Sequence, residues 1–114
     1  MTPAPMIPTV TPDRVLQLIQ GVMHDAAPRL GSRRVVLFGS RAQGTARSRS
    51  DYDVAVVGDT PLPLKDFYEI ETALEELPTL FRIDWVDMAR VDPLFKQRAL
   101  QHQKIIYESQ LDHQ

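Results

Sequence analysis

The residues that decide the fold lie between positions 35 and 58 and read VVLFGSRAQGTARSRSDYDVAVVG. Two apolar runs in it, Val35–Phe38 and Tyr52–Val57, have the β-branched and aromatic character of buried strands, and a glycine follows each run. Ser40–Gly44 predicts a brief helical turn, and the polar residues 45–50 predict a loop. The stretch therefore predicts a strand, a glycine turn, a helical turn, a loop and a second strand.

Outside this stretch, the spacing of apolar residues predicts three longer helices and a third strand. Proline and glycine mark where these elements begin and end. The predicted elements are a helix that begins at Thr11-Pro12-Asp13 and ends at Pro28 and Gly31, a helix over 64–77, a strand over 80–86 and a helix from Leu94 to about Gln103 capped by Asp92. Lys104–Tyr107 fits either a strand or a helix end.

The length and composition predict one globular domain. The chain has 114 residues, and its 13 Lys and Arg against 15 Asp and Glu give a net charge of −2. This balance argues against direct nucleic-acid binding. The absence of cysteine excludes disulfides, thiolate metal sites and cysteine nucleophiles. We find no apolar run of the roughly 18 residues that a membrane span needs and no secretory leader, so we expect a cytoplasmic protein without a membrane.

The domain boundaries follow from the prolines. Four of the nine prolines lie within the first twelve residues, which predicts a flexible, Pro-rich arm over 1–10. The folded domain is expected over 11–107, with a tail over 108–114. Six arginines and no acid lie between Arg29 and Arg49. A phosphate-bearing ligand would explain that run of arginines, whereas solubility alone would account for about half of it.

The Gly39-Ser40 turn after the first strand is a candidate phosphate cradle. Glycine lets a ligand approach the backbone closely, and the start of a helical turn presents free N–H groups. By itself the pair is a weak signal, because Gly-Ser after a strand is usually an ordinary turn. Arg41 follows it, either to neutralise a phosphate or as a surface arginine. Ser40 has no histidine or lysine base nearby in the sequence, so phosphate binding suits it better than a nucleophilic role.

Two aspartates at the start of the second strand are candidate metal ligands. Asp51 and Asp53 share one face because side chains alternate along a strand, which places their Cα atoms about 6–7 Å apart. Clustered carboxylates repel unless a cation lies between them, and Mg²⁺ prefers carboxylate and phosphate oxygens. The alternative is a strand end with two solvated acids.

A third carboxylate, Asp84, joins them if the second and third strands are neighbours. Asp87 and Asp92 compete for this third place. Asp87 is expected on the core side of the strand or just past its end, and Asp92 is better explained as a helix cap. His24, His102 and His113 show no ligand spacing, and Phe81 and Trp85 are expected in the core.

The combined pattern resembles the minimal nucleotidyltransferase (MNT) family of the DNA polymerase β superfamily. The resemblance rests on Gly39-Ser40-Arg41-Ala42-Gln43-Gly44, on Ser50-Asp51-Tyr52-Asp53-Val54 and on a third aspartate in a later strand. It extends from about Val35 to Tyr107. Gln43 stands where the family often has a basic residue, and Val54 replaces the more common leucine.

The resemblance implies an α/β (α+β) fold, a mixed β-sheet backed by helices with a polymerase β-like palm core. It also implies ATP as nucleotide donor and two Mg²⁺ ions. Gly39 and Ser40, with Arg41 beside them, would hold the triphosphate. Asp51 and Asp53 would ligate metal, and Asp84 would bind the second metal and help to activate the attacking hydroxyl.

The resemblance further implies a protein partner, because MNT proteins are commonly paired with a HEPN-domain toxin. The first hypothesis is an antitoxin that transfers AMP from ATP to a tyrosine of its HEPN toxin. No segment outside the predicted core is long enough for an acceptor pocket, so we expect a second protein to present the hydroxyl. The alternatives are an antitoxin that acts by binding without catalysis and a subunit of a small-molecule, aminoglycoside-type nucleotidyltransferase.

Overall fold

The computed structural model describes residues 12–47 and 50–109, which form five helices and four strands. The helices are α1 (Pro12–Asp25), α2 (Ala27–Leu30), α3 (Ser40–Gln43), α4 (Leu64–Glu75) and α5 (Pro93–Ala99). The strands are β1 (Arg34–Phe38), β2 (Tyr52–Val57), β3 (Ile83–Asp87) and β4 (Lys104–Tyr107).

The four strands form one mixed sheet in the order β3-β2-β1-β4. β1 pairs antiparallel with β2 and with β4, whereas β2 and β3 are parallel. A parallel pair needs a crossover connection, and α4 supplies it. The predicted mixed sheet backed by helices is confirmed.

The main core lies between one face of the sheet and the helices α1 and α4. Tyr52, Val54 and Val56 of β2 point into this core, as the alternation of the strand predicts, together with Ile19 of α1 and Ile70 of α4. The opposite face carries a smaller apolar cluster, formed by Val36, Phe38, Ala55, Val57 and Met88. The face on which Asp53 lies is therefore partly covered rather than fully solvated.

Several predicted boundaries are corrected by the structure. β3 begins at Ile83 rather than at Leu80, because the chain still turns before it: the Phe81 N–H donates to Thr79 Oγ1, and Leu80 is fully exposed. α5 ends at Ala99 rather than near Gln103. The first helix ends at Asp25, and Pro28 lies inside the short α2.

Two undecided or conditional features are settled. Lys104–Tyr107 is a strand that pairs with β1. The carboxylate of Asp92 caps α5 by accepting from the N–H groups of Leu94 and Phe95. The predicted arm over 1–10, the Thr11 cap, Arg49 and the tail from residue 110 onward lie outside the described residues. None of the helices found in residues 12–47 and 50–109 is long and apolar enough to cross a membrane.

Candidate functional site

Asp53 and Asp84 are partners in the register of the parallel pair β2–β3. Side chains directly opposite each other on neighbouring strands lie on the same face of the sheet. The condition set by the sequence, that the second and third strands be neighbours, is therefore met. The structure brings together two carboxylates that are far apart in the chain.

The electrostatics of Asp53 reflect this crowding. Its pKa is raised above the ordinary value of 3.8, first by burial and then by the negative charges of Asp84 and Asp51; a hydrogen bond with the Asp84 side chain adds to the shift. Asp53 is thus the centre of an acidic group of three side chains, Asp51, Asp53 and Asp84. A cation between these carboxylates would relieve the repulsion.

Asp51 lies next to this pair, one residue before β2, and is exposed. Among the described residues, no group of three or more His, Cys, Asp or Glu side chains is already arranged to hold a metal ion. By donor chemistry, however, Asp53 and Asp84 fit a hard divalent cation, since Mg²⁺ prefers carboxylate oxygens completed by substrate phosphates and water. The role of all three aspartates as metal ligands remains a prediction.

Arg82 is a neighbour of the acidic group that the sequence did not single out. Its Nε lies 2.9 Å from Asp84 Oδ1, and its side chain is 76% exposed. Arg82 precedes Asp84 by two residues, so strand alternation places both on one face. That spacing was the signal available in the sequence.

Gly39 follows β1 directly and lies against Asp53. The antiparallel register pairs Phe38 with Asp53, so the next residue passes beside the carboxylate. Gly39 has φ 72° and ψ −155°, a conformation that is essentially restricted to glycine. A Cβ at this position would collide with the Asp53 carboxylate.

This contact gives Gly39 a structural role in addition to the one expected from the sequence, which was to let a ligand approach the backbone closely. In the structure, the backbone conformation and the Asp53 side chain already require glycine without any ligand. The assignment of Gly39 and Ser40 to triphosphate binding remains a prediction.

The helical turn α3 begins directly after Gly39, which lies against Asp53. The N–H groups of Ala42 and Gln43 both donate to the Gly39 carbonyl, which starts α3 at Ser40 as predicted. The backbone N–H of Ser40 comes before these bonds, at the start of the helical turn. The start of a helical turn can present backbone N–H groups to an anion.

Arg41 holds the loop that leads to Asp51. Its Nη2 and Nε donate to the Ser50 carbonyl at 2.8 and 3.1 Å. Its guanidinium also lies 4.1 Å from the centre of the Tyr52 ring. Arg41 therefore contacts both neighbours of Asp51, the Ser50 backbone and the Tyr52 ring. Its predicted contact with phosphate stays a prediction.

Other arginines of the same run also make structural contacts. Arg29 pairs with Glu69 and Asp66 at 2.7 and 3.5 Å. Arg33 donates to the carbonyls of Thr60 and Pro61. These contacts explain part of the run without any phosphate.

Asp87, the rival third carboxylate, is a structural residue. It is buried, and its two oxygens accept from the N–H groups of Leu62 and Ala89 at 2.8 and 2.9 Å. Its place on the core side of β3 agrees with the expectation from the sequence. Trp85, also expected in the core, is buried and donates from Nε1 to the Phe67 carbonyl.

An open groove of about 730 Å³ runs along β3 and begins at the acidic group. Its acidic end is formed by Asp53 and Asp84, with Phe38 and Phe95 beside them. The remainder follows Ile83 and Trp85 of β3 and the C-terminal half of α4. The carboxylates therefore face a space large enough for a substrate.

These features place the chain in a known class. The sequence model of the family described as "Polymerase beta, Nucleotidyltransferase" matches residues 31–112, so the chain belongs to this family. It is a nucleotidyltransferase, and the resemblance drawn from the motifs is confirmed.

Several individual proteins are also similar to this chain in sequence or in fold. The chain is 27% identical over 82 residues to the Haemophilus influenzae protein named "Probable protein adenylyltransferase MntA", covering 72% of this chain and 69% of the relative. Its fold is similar to that of a chain in a crystal structure of a toxin–antitoxin with AMP-PNP (24% identity, TM-score 0.58, 85% of this chain and 76% of that one). A structure of a tri-AMPylated Shewanella oneidensis HEPN toxin in complex with MNT antitoxin is also similar (20% identity, TM-score 0.54, 85% and 76%).

Proposed function

We propose that this protein transfers AMP from ATP to a hydroxyl, a tyrosine in the first instance, of a partner HEPN-domain toxin, and so acts as the antitoxin of the pair. The observation that carries the proposal is the position of Asp53 between Gly39 and Asp84. This arrangement puts the Gly39-Ser40 turn on one side of the carboxylates and an open groove on the other.

The roles of the residues follow from this arrangement. The Gly39-Ser40 turn holds the triphosphate through backbone N–H groups. Asp51, Asp53 and Asp84 are the residues that would hold two Mg²⁺ ions, which would neutralise the phosphates and lower the pKa of the acceptor hydroxyl. The acceptor oxygen bonds to the α-phosphorus, the bond from that phosphorus to pyrophosphate breaks, and the hydroxyl proton passes to Asp84. Positioning supplies most of the rate in such transfers.

The comparisons support the choice of nucleotide and partner. One toxin–antitoxin structure that contains a chain of similar fold is a complex with AMP-PNP, which is an ATP analogue. A second structure with a chain of similar fold contains a HEPN toxin that carries AMP groups. The curated relative is named as a protein adenylyltransferase.

The proposal is tested by incubating the protein with a HEPN-domain protein from the same genome, ATP and Mg²⁺, and weighing both chains by mass spectrometry. We expect the partner to gain the mass of one or more AMP groups. Asp53→Asn should abolish the gain, whereas Asp59→Asn, an exposed acid beyond the other end of β2, should retain it. Neutralisation of the toxin without any gain in mass would favour the non-catalytic antitoxin. AMP transfer to an aminoglycoside without the partner would favour the small-molecule enzyme.

A further inference from the structure

The open edge of β3 is the feature that the proposed reaction does not yet use. β3 is the outermost strand of the described sheet next to β2. The Tyr52 N–H donates to the Arg82 carbonyl, and the Met88 N–H donates to the Val56 carbonyl. In a parallel pair, alternate residues of a strand bond to the same neighbour. The backbone groups of Ile83 and Trp85 therefore point away from β2, toward the open edge.

The groove lies along this edge and has two different walls. On the face of Asp53 and Asp84, the wall includes the ring of Phe95, a residue that is 45% exposed. On the opposite face, α4 contributes Glu71 and Glu75. In the described part of the chain, neither glutamate has a salt-bridge partner within 4 Å. An occupant of the groove therefore meets acids on both faces of the sheet, with Arg82 paired to Asp84 on the first face and the two glutamates unpaired among the described residues on the other.

The strand order assigns the two sides of the site to different reactants. Gly39 lies on the β1 side of Asp53, and the groove lies on the β3 side. An in-line transfer needs its donor and acceptor on opposite sides of the transferred phosphorus. With the triphosphate at Gly39, the acceptor hydroxyl has to approach from the edge of β3.

We propose that the edge of β3 binds an extended segment of the partner as an additional strand, with the acceptor residue facing Asp84 and with Lys or Arg on both sides of it. This proposal rests on the proposed function and specifies how the acceptor is recognised. Strand addition uses the outward backbone groups of Ile83 and Trp85 for affinity, and alternate side chains supply specificity. Because side chains alternate, the neighbours of the acceptor residue face Glu71 and Glu75.

A second copy of this chain is the competing occupant, since an exposed strand edge can pair with itself. The charges disfavour that pairing. Arg82 offsets the charge of Asp84, but two copies joined through β3 would bring Glu71 and Glu75, which have no salt-bridge partner in the described residues, close to their own copies. A basic segment fits this edge, and an identical acidic edge does not.

The probes are the peptide acetyl-Val-Lys-Tyr-Arg-Val-amide, its analogue with N-methyl groups on the residues next to tyrosine, and its analogue with Glu in place of Lys and Arg. Trp85, the only tryptophan of the chain, reports binding by fluorescence. Amide hydrogen exchange reports on Ile83 and Trp85. Both are measured without ATP and Mg²⁺, so the result does not depend on catalysis.

We expect the basic peptide to slow exchange at Ile83 and Trp85, and both analogues to bind at least tenfold more weakly. The Glu71→Gln, Glu75→Gln double variant should lose about tenfold in affinity for the basic peptide, whereas Glu108→Gln, an exposed control beyond β4, should lose none. Equal binding of the N-methylated peptide, no binding of the basic peptide up to millimolar concentration, or protection of these amides by self-association alone would overturn the proposal. AMP transfer to the partner without strand addition would leave the proposed function standing and this inference refuted.

Discussion

The Asp53 carboxylate occupies the space that a side chain at position 39 would need. The two halves of the sequence motif, the glycine turn after β1 and the aspartates at the start of β2, are therefore one packed unit. The antiparallel pairing of Phe38 with Asp53 produces this contact. The residue predicted to bind phosphate and the residue predicted to bind metal are therefore held side by side by the pairing of β1 with β2.

Gly39→Ala should destabilise the fold by about 1–3 kcal/mol, because it combines an unfavourable backbone conformation with the collision against Asp53. Adding Asp53→Ala should recover the part that comes from the collision. Gly21→Ala is the control: Gly21 lies in α1 with open space around its Cα, so alanine there should stabilise by up to about 1 kcal/mol. Urea unfolding measures all three. A Gly39→Ala protein as stable as the wild type would contradict the contact.

Asp53→Asn should stabilise the metal-free protein at pH 7. The pKa of Asp53 is raised in the fold, so the folded chain holds more protons than the unfolded chain between the raised value and 3.8. Stability from this group is therefore lost as the pH rises through that window. Like charges opposite each other in a sheet cost about 0.2–1 kcal/mol, which corresponds to a rise in Tm of a few degrees for Asn.

The advantage of Asp53→Asn should shrink as the pH falls toward 3.8, since protonation of the wild type removes the same charge. Thermal unfolding in EDTA across this pH range measures the difference. An Asn variant that is less stable than the wild type at pH 7 would show that Asp53 is paired with a cation of the protein itself.

Arg41→Lys tests whether Arg41 holds the loop or binds phosphate. Lysine keeps the charge but cannot make the two bonds to the Ser50 carbonyl. If Arg41 positions Asp51, we expect amide exchange at Ser50–Tyr52 to quicken and kcat to fall about tenfold while the KM for ATP stays within twofold. An increased KM for ATP, with unchanged amide exchange at these residues, would indicate that Arg41 binds the phosphates instead.

Asp87→Asn tests whether Asp87 is a structural carboxylate or the third metal ligand. Asp87 accepts two backbone N–H bonds in a buried position, so the variant should lose about 1–3 kcal/mol of stability. Its AMP transfer per folded molecule should stay near that of the wild type at low temperature. Loss of transfer in a folded Asp87→Asn protein would move the third ligand from Asp84 to Asp87.

The sequence predicted best where one local pattern decides the structure. The alternation of Tyr52–Val57 defined β2 to the residue, and Asp92-Pro93 marked the cap of α5. Prediction from the sequence failed where contacts between residues far apart in the chain decide the structure. Leu80 has the composition of a strand, but the turn at Thr79 places it in solvent.

The site was predicted unevenly for the same reason. Asp51, Asp53 and Gly39 come from one short motif, whereas the place of Asp84 depended on a strand pairing that the sequence left conditional. The anchoring of Arg41 on Ser50 and Tyr52 and the groove beside β3 arise only from tertiary packing. No local spacing encodes them.

The phosphate of ATP that reaches the partner distinguishes AMP transfer from phosphate transfer. The protein, a HEPN-domain protein from the same genome and Mg²⁺ are incubated with ATP labelled at either the α- or the γ-phosphate, and the label on the partner is counted. We expect α-label to reach the partner, γ-label not to reach it, and Asp53→Asn to abolish the transfer. Incorporation of γ-label, or α-label that persists undiminished in Asp53→Asn, would contradict this expectation.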